Sequence, residues 1–243
     1  MSWLLFQVLL LAFPLALAAQ DVALDPRNAA GIRRLAVVSL IGDSIDGIAD
    51  GLSTLQRRYL HATPEWGLDR TLERFAAERV AASGKFRGTT VEVLQVADVA
   101  AMSRRDRRRP IDPAKLTRYA RDKGYDAVLA ILPEESLDHP EAVAGVSIRQ
   151  RQVVGGSISS ACVALALRVM RTDDDAEIAH VTPAPCAVHA SPIAWHASWD
   201  DYSPEQANAT LQALRRHAVL TTGYALNQIG LRPRFRPGHR VGP

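Results

Sequence analysis

The hydrophobic pattern changes period along the chain, and each change predicts an element. Leu35 to Ile41 (LAVVSLI) is a continuous apolar run of strand length, ended by Gly42-Asp43-Ser44. A run without polar alternation predicts a central strand covered on both faces. Residues 52–62 predict an edge strand. From Asp69 to Ser83 the period becomes helical: Leu72, Phe75, Ala76 and Val80 share one side and Gly84 closes the helix. Thr89 to Val96 is β-rich again. Asp112-Pro113 then supplies a capping carboxylate with proline at the first helical position. Leu116, Tyr119 and Ala120 form that helix's buried stripe, Gly124 ends it, and Ala127 to Leu132 (AVLAIL) predicts another buried strand.

Residues 33–132 therefore spell β, α, β, α, β with short connections, which predicts a mostly parallel sheet with helices packed on it. The second half predicts antiparallel structure. Val146 to Val154 alternates, Gly155-Gly156-Ser157 turns, and Ser159 to Thr172 runs back. Asp173-Asp174-Asp175 turns once more. Ser203-Pro204-Glu205-Gln206 reads as a capping box with proline at the first helical position. Ala207, Leu211, Leu214, Ala218, Ala225 and Ile229 then line one side of a long helix ending at Gly230. The fold class expected is α/β: a βαβαβ half, an antiparallel hairpin extension of the sheet, and a long C-terminal helix.

The ends of the chain differ from this body. Residues 1–19 carry no charged side chain, are apolar from Trp3 to Ala18, and place small residues at Ala16 and Ala18. They predict a cleaved secretory signal, so that the mature protein is exported to the periplasm or secreted, and is not integral to a membrane. Residues 20–32 read as a polar leader, 33–231 as a single α/β domain, and 232–243 as a disordered tail with four arginines and three prolines.

Composition sharpens this picture at two points. The chain of 243 residues has a net charge of +3, yet Arg104, Arg105, Arg107, Arg108 and Arg109 around Asp106 carry +4 and the tail another +4. The body is therefore mildly acidic, with two basic appendages. Exported basic segments of this kind predict an envelope protein, or an anionic envelope polymer or lipid, as partner. The arginine cluster has no interleaved aromatics, which argues against nucleic acid. The two cysteines are the second point. A hairpin centred on Asp174 sets Cys162 and Cys186, each twelve residues away, opposite one another, and an exported chain with two cysteines predicts one disulfide.

Candidate chemistry is sparse. Gly42-Asp43-Ser44-Ile45, directly after a buried strand, resembles the first block of the GDSL, or SGNH, hydrolases. That resemblance implies Ser44 as a nucleophile, with Asp43 beside it and the backbone N–H of Ser44 in an oxyanion hole. The family takes its base from a D-x-x-H pair near the C terminus. Here no histidine has aspartate three residues before it, and Glu177-Ile178-Ala179-His180 is the one acid–histidine pair at that spacing. The Gly-x-Asn-Asp block is absent too, and turn chemistry alone accounts for Gly-Asp-Ser. His189, His196, Asp200 and Asp201 match no metal spacing, and Gly155-Gly156-Ser157 lacks the lysine of a phosphate loop, so neither metal nor cofactor is expected. Trp195 and Trp199 in the same loop predict a recognition surface, together with Arg104, Arg105, Arg107, Arg108, Arg109, Arg234 and Arg236.

The layout as a whole is similar, at fold level, to the amino-terminal domain of the translocation protein TolB, to the curli-secretion lipoprotein, and to uncharacterised proteobacterial periplasmic proteins. The resemblance implies a non-enzymatic envelope interaction or assembly module, with a serine esterase using Ser44 as the alternative. The lipidated cysteine of the curli lipoprotein has no counterpart here.

Overall fold

β1 (Arg34–Ser39) lies between two parallel neighbours, β5 (Ala127–Pro133) and β4 (Thr90–Val93). Leu35, Ala36, Val37 and Val38 are all fully buried, because helices cover both faces of this part of the sheet. The computed structural model describes residues 21–51, 57–94, 112–135, 143–186, 193 and 195–233. Among these, eight strands form one sheet in the order β3-β2-β6-β7-β5-β1-β4, with β8 pairing β7. The remaining strands are β2 (Ile45–Asp50), β3 (Arg57–Ala62), β6 (Gly145–Val153), β7 (Gly156–Arg171) and β8 (Glu177–Val181).

Among the described residues four α-helices accompany the sheet: α1 (Pro26–Ala29), α2 (Leu68–Ser83), α3 (Pro113–Asp122) and α4 (Pro204–Gln228). The mixed α/β architecture with a long closing helix is the one the hydrophobic pattern predicts. The caps are also those expected. The Asp112 carboxylate accepts from the Ala114 N–H at 3.0 Å. The Ser203 hydroxyl accepts from the Gln206 N–H at 3.2 Å while the Gln206 side chain accepts from the Ser203 N–H at 3.0 Å. Gly84 closes α2 in the left-handed conformation.

Alternate residues of the central strands face two cores. Leu35, Val37, Leu129, Ile131, Leu165, Leu167 and Val169 join the larger one, with Leu72, Ala76 and Val80 of α2 and Leu214, Ala218 and Ala225 of α4. Ala36, Val38, Val128, Ala130 and Met170 face the smaller one, under Leu116 and Ala120 of α3. Residues 20–32, read as a polar leader, contribute more than polarity within their described part. Leu24, Ala29 and Ile32 are buried in the larger core.

β7, sixteen residues long, is the spine. Its first half, Gly156–Ala164, pairs with β6, and its second half, Leu165–Arg171, pairs with β5. The return through Asp173-Asp174-Asp175 pairs Leu167 with Val181, Arg168 with His180 and Val169 with Ala179, before a bulge shifts the register at Met170. Cys162 and Cys186 lie opposite one another in an isolated bridge and form the disulfide. The hairpin register thus brings the two sulfurs together as the spacing predicts.

The departure from a plain βαβαβ half lies between β1 and α2. There the chain forms β2, parallel to β6, and turns back into β3. β2, β3, β6 and the first half of β7 make a four-stranded extension of the sheet.

Candidate interaction surface and the Gly42-Asp43-Ser44 turn

The turn leaving β1 is held by α2. Gly42, at φ +71°, directs its N–H at both carboxylate oxygens of Asp69, each at 3.0 Å. The Ser39 hydroxyl donates to the same carboxylate at 2.6 Å, and the Ser39 N–H donates to Glu73 at 3.1 Å. The Asp43 carboxylate accepts from the Leu68 N–H at 3.1 Å, which satisfies one of the free donors at the start of α2. The Asp43 carbonyl accepts from the indole N–H of Trp66 at 3.0 Å. Asp69 and Glu73, one helical turn apart, therefore both face the end of β1. Glu73 is 1% exposed, and burial pushes its carboxyl up to about 7 from an ordinary 4.5. Asp69 adds to that rise, while the Ser39 N–H and Arg70 oppose it.

These contacts make Asp43 a clamp between strand and helix. Ser44 is buried, and no described histidine ring is hydrogen-bonded to its hydroxyl. His61 meets Asp46 across β2 and β3 at 2.9 Å. His180 lies beside Thr182 and Glu177, His196 packs edge-on against Tyr202, and His217 meets the Pro185 carbonyl. His139, His189 and His239 lie outside the described residues. A fluorophosphonate probe is expected to label neither the wild type nor Ser44→Ala; labelling of the wild type alone would reveal an activated serine.

Of the residues singled out for recognition, Trp195 and Trp199 are described. Trp195 is buried over the β2–β3 ribbon, with the Arg58 guanidinium 4.8 Å from its ring. Gly47 makes room for it: a Cβ there would lie 2.7 Å from the Leu60 Cβ and 3.2 Å from the Trp195 indole nitrogen. Trp199 is partly buried, 4.7 Å from the Tyr202 ring. The segments holding Arg104, Arg105, Arg107, Arg108 and Arg109, and Arg234 and Arg236, lie outside the described residues.

Exposed apolar residues that sequence reasoning missed lie on the four-stranded extension and also on α4, where Leu220 and Tyr224 are 64% and 57% exposed. Val154, at the tip of the β6–β7 hairpin, is fully exposed, Ile158 is 62% exposed, and Tyr59 on β3 is 65% exposed. Register sets Tyr59 opposite Ile48 and Ile48 opposite Arg149; the next same-face row runs Asp50, Arg151, Ile158. Asp50 is paired with Arg149 at 3.0 Å. The surface is thus aliphatic and aromatic, bordered by arginine. Alternation along β6 and β7 hints at strands there, but exposure depends on what the fold packs against them.

No family model matches the chain, and no curated protein does. Among solved structures it is similar to the PelC dodecamer from Paraburkholderia phytofirmans (13% identity over 89% of this chain and 97% of that one, TM-score 0.38). It is also similar to lipoprotein GNA1162 from Neisseria meningitidis (14% identity, 76% and 96% covered, TM-score 0.30). A protein from Xanthomonas campestris follows (12% identity, 81% and 85% covered, TM-score 0.28). This is a weak fold-level resemblance to proteobacterial proteins that include a lipoprotein. At such scores it carries no functional weight.

Proposed function

We propose that the protein is exported and acts in the cell envelope as a non-catalytic interaction or assembly module. The observation that carries this reading is the exposed end of the β6–β7 hairpin. Fully burying an aliphatic side chain of this size is worth about 1.5–3 kcal/mol, so Val154 and Ile158 hold unused binding energy on the hairpin. The disulfide supports an oxidising compartment, and the apolar stretch 1–19 supports export. Among the described residues no helix is long and apolar enough to cross a membrane. Arg104–Arg109 and the Arg234/Arg236 tail add basic contacts toward an envelope protein or an anionic polymer or lipid.

The test is formaldehyde crosslinking in intact cells with wild type and the V154D/I158D double variant. Both sites are solvent-exposed, so folding should hold while adducts to envelope components fall severalfold. Unchanged adducts in a folded variant would remove the hairpin from the reading.

A further inference from the structure

Where β1 and β4 begin, the connection from α1 to β1 faces the connection from α2 to β4 across a recess of about 160 Å³. Ala30, Ile32, Lys85, Phe86, Arg87 and Thr89 are among its lining residues. Ile32 and Phe86 are buried and give it an apolar backing. Two ties fix the walls: the Thr89 hydroxyl donates to the Ile32 carbonyl at 2.6 Å, and the Thr90 N–H donates to the Arg33 carbonyl at 2.7 Å. The recess is therefore built before anything enters it. Its volume equals that of about five water molecules, well below the roughly 300–1,000 Å³ of a site for a whole cofactor. It has room for one small group at the end of a larger molecule.

The charge of the recess has one sign. Lys85 and Arg87 are its charged lining residues, and no described acid lines it. Among the described residues neither side chain forms a hydrogen bond or an ion pair. Residues 25–33 and 84–90 hold Arg27, Arg33, Lys85 and Arg87 against Asp25 alone, a net +3 in a body that is mildly acidic. Asp25 is committed elsewhere: its carboxylate accepts from the Arg27 N–H at 2.8 Å and caps α1. A cation beside a helix C-terminus can serve the last carbonyls of the helix. Lys85 does lie beside the end of α4, its Nζ 3.6 Å from where a Cβ on Gly230 would sit. There, however, the carbonyls of Leu226, Asn227 and Ile229 accept from the backbone N–H groups of Leu231, Gly230 and Leu24 at 2.8, 3.1 and 3.1 Å. Lys85 and Arg87 thus keep their charge for a ligand.

We propose that this recess binds a terminal phosphate group, carried by an envelope lipid or by a soluble phosphate ester. Lysine supplies a point charge and arginine a planar fork that meets two phosphate oxygens. The buried Ile32 and Phe86 keep water from one side and so strengthen both attractions. A phosphate monoester brings three acceptor oxygens and a charge of about −1.5 to −2, which suits two unpaired cations better than the single charge of a carboxylate. The site does not depend on the β6–β7 hairpin reading, and each can fail while the other holds.

The test is a titration of the mature full chain with inorganic phosphate, followed by amide NMR shifts, with sodium chloride at matched ionic strength as the reference. Phosphate is expected to move the amides of residues 29–33 and 85–89 saturably, and chloride to leave them in place. Changing Lys85→Gln and Arg87→Gln together should weaken phosphate binding about tenfold or more. Arg74→Gln, which removes an exposed cation of α2 away from the recess, should leave it unchanged. Ala30→Asp keeps both cations but sets a carboxylate on the exposed lining, and should block binding to a similar degree. Unchanged affinity in either recess variant, equal shifts with chloride, or saturable shifts only elsewhere would overturn the proposal. Pelleting with phosphatidylcholine vesicles that contain phosphatidic acid separates the two sources. Pelleting that the double variant loses assigns the phosphate to a lipid. Phosphate shifts without such pelleting assign it to a soluble ester, with glycerol phosphate as the probe.

Discussion

Glu73→Gln is expected to abolish a loss of stability that the wild type shows as pH rises from about 5 to 8. Glu73 is buried under the end of β1, and its carboxyl titrates at about 7 in the folded protein against an ordinary 4.5. The folded state therefore holds this proton more tightly than the unfolded chain does. Below pH 4.5 both states are protonated and the group carries no penalty. Between 4.5 and 7 the unfolded chain releases its proton first, so stability falls, and above 7 the full penalty is present. A shift of this size corresponds to about 3 kcal/mol. Glutamine keeps an acceptor for the Ser39 N–H and stays neutral throughout. The variant should match the wild type near pH 4.5 and exceed it at pH 8. Denaturant unfolding at a series of pH values measures this. Parallel profiles for the two proteins would show that Glu73 ionises without cost.

The second large effect belongs to the disulfide. Cys162 and Cys186 close a separation of 24 residues, and removing that constraint by the double change to alanine should cost about 3 kcal/mol of unfolding free energy. The bond ties β7 to the segment beyond Pro183 and Pro185, where the β8 ladder has ended and the Val163 N–H donating to the Pro185 carbonyl at 2.7 Å is the next backbone tie. Reductant should lower the wild-type midpoint to that of the variant and leave the variant unchanged. A loss below about 1 kcal/mol would mean that the ladder and core hold the segment unaided.

Elements that were legible in the sequence share one property: their signals are local. The Asp112-Pro113 start, the Ser203/Gln206 box and the Leu35–Ile41 run each carry cap or pattern within a few residues. The cysteine pairing was legible because the Asp173-Asp174-Asp175 turn sets a register. β2 was not. Ile45-Asp-Gly-Ile-Ala-Asp50 looks like a turn region, and its strand conformation comes from parallel pairing with β6 about a hundred residues later. Gly47, a poor strand former, is there because Leu60 and Trp195 leave no space for a Cβ.

The site followed the same rule. Gly42-Asp43-Ser44 was visible as a turn after a buried strand, but not that Asp69 and Glu73 would clamp it. Trp195 was visible as a loop aromatic, while its burial over the β2–β3 ribbon depends on that unseen strand. The exposure of Val154 and Ile158 is likewise a tertiary fact: the same alternating pattern fits a covered hairpin.

The central claim, that the β6–β7 hairpin meets an envelope partner, is tested most directly by placing a photo-activated crosslinking residue at Val154 in living cells, with Gln212 on the exposed side of α4 as the control. A discrete envelope adduct from position 154 and none from 212 is the predicted result. No adduct from 154, or the same adducts from both positions, would contradict it.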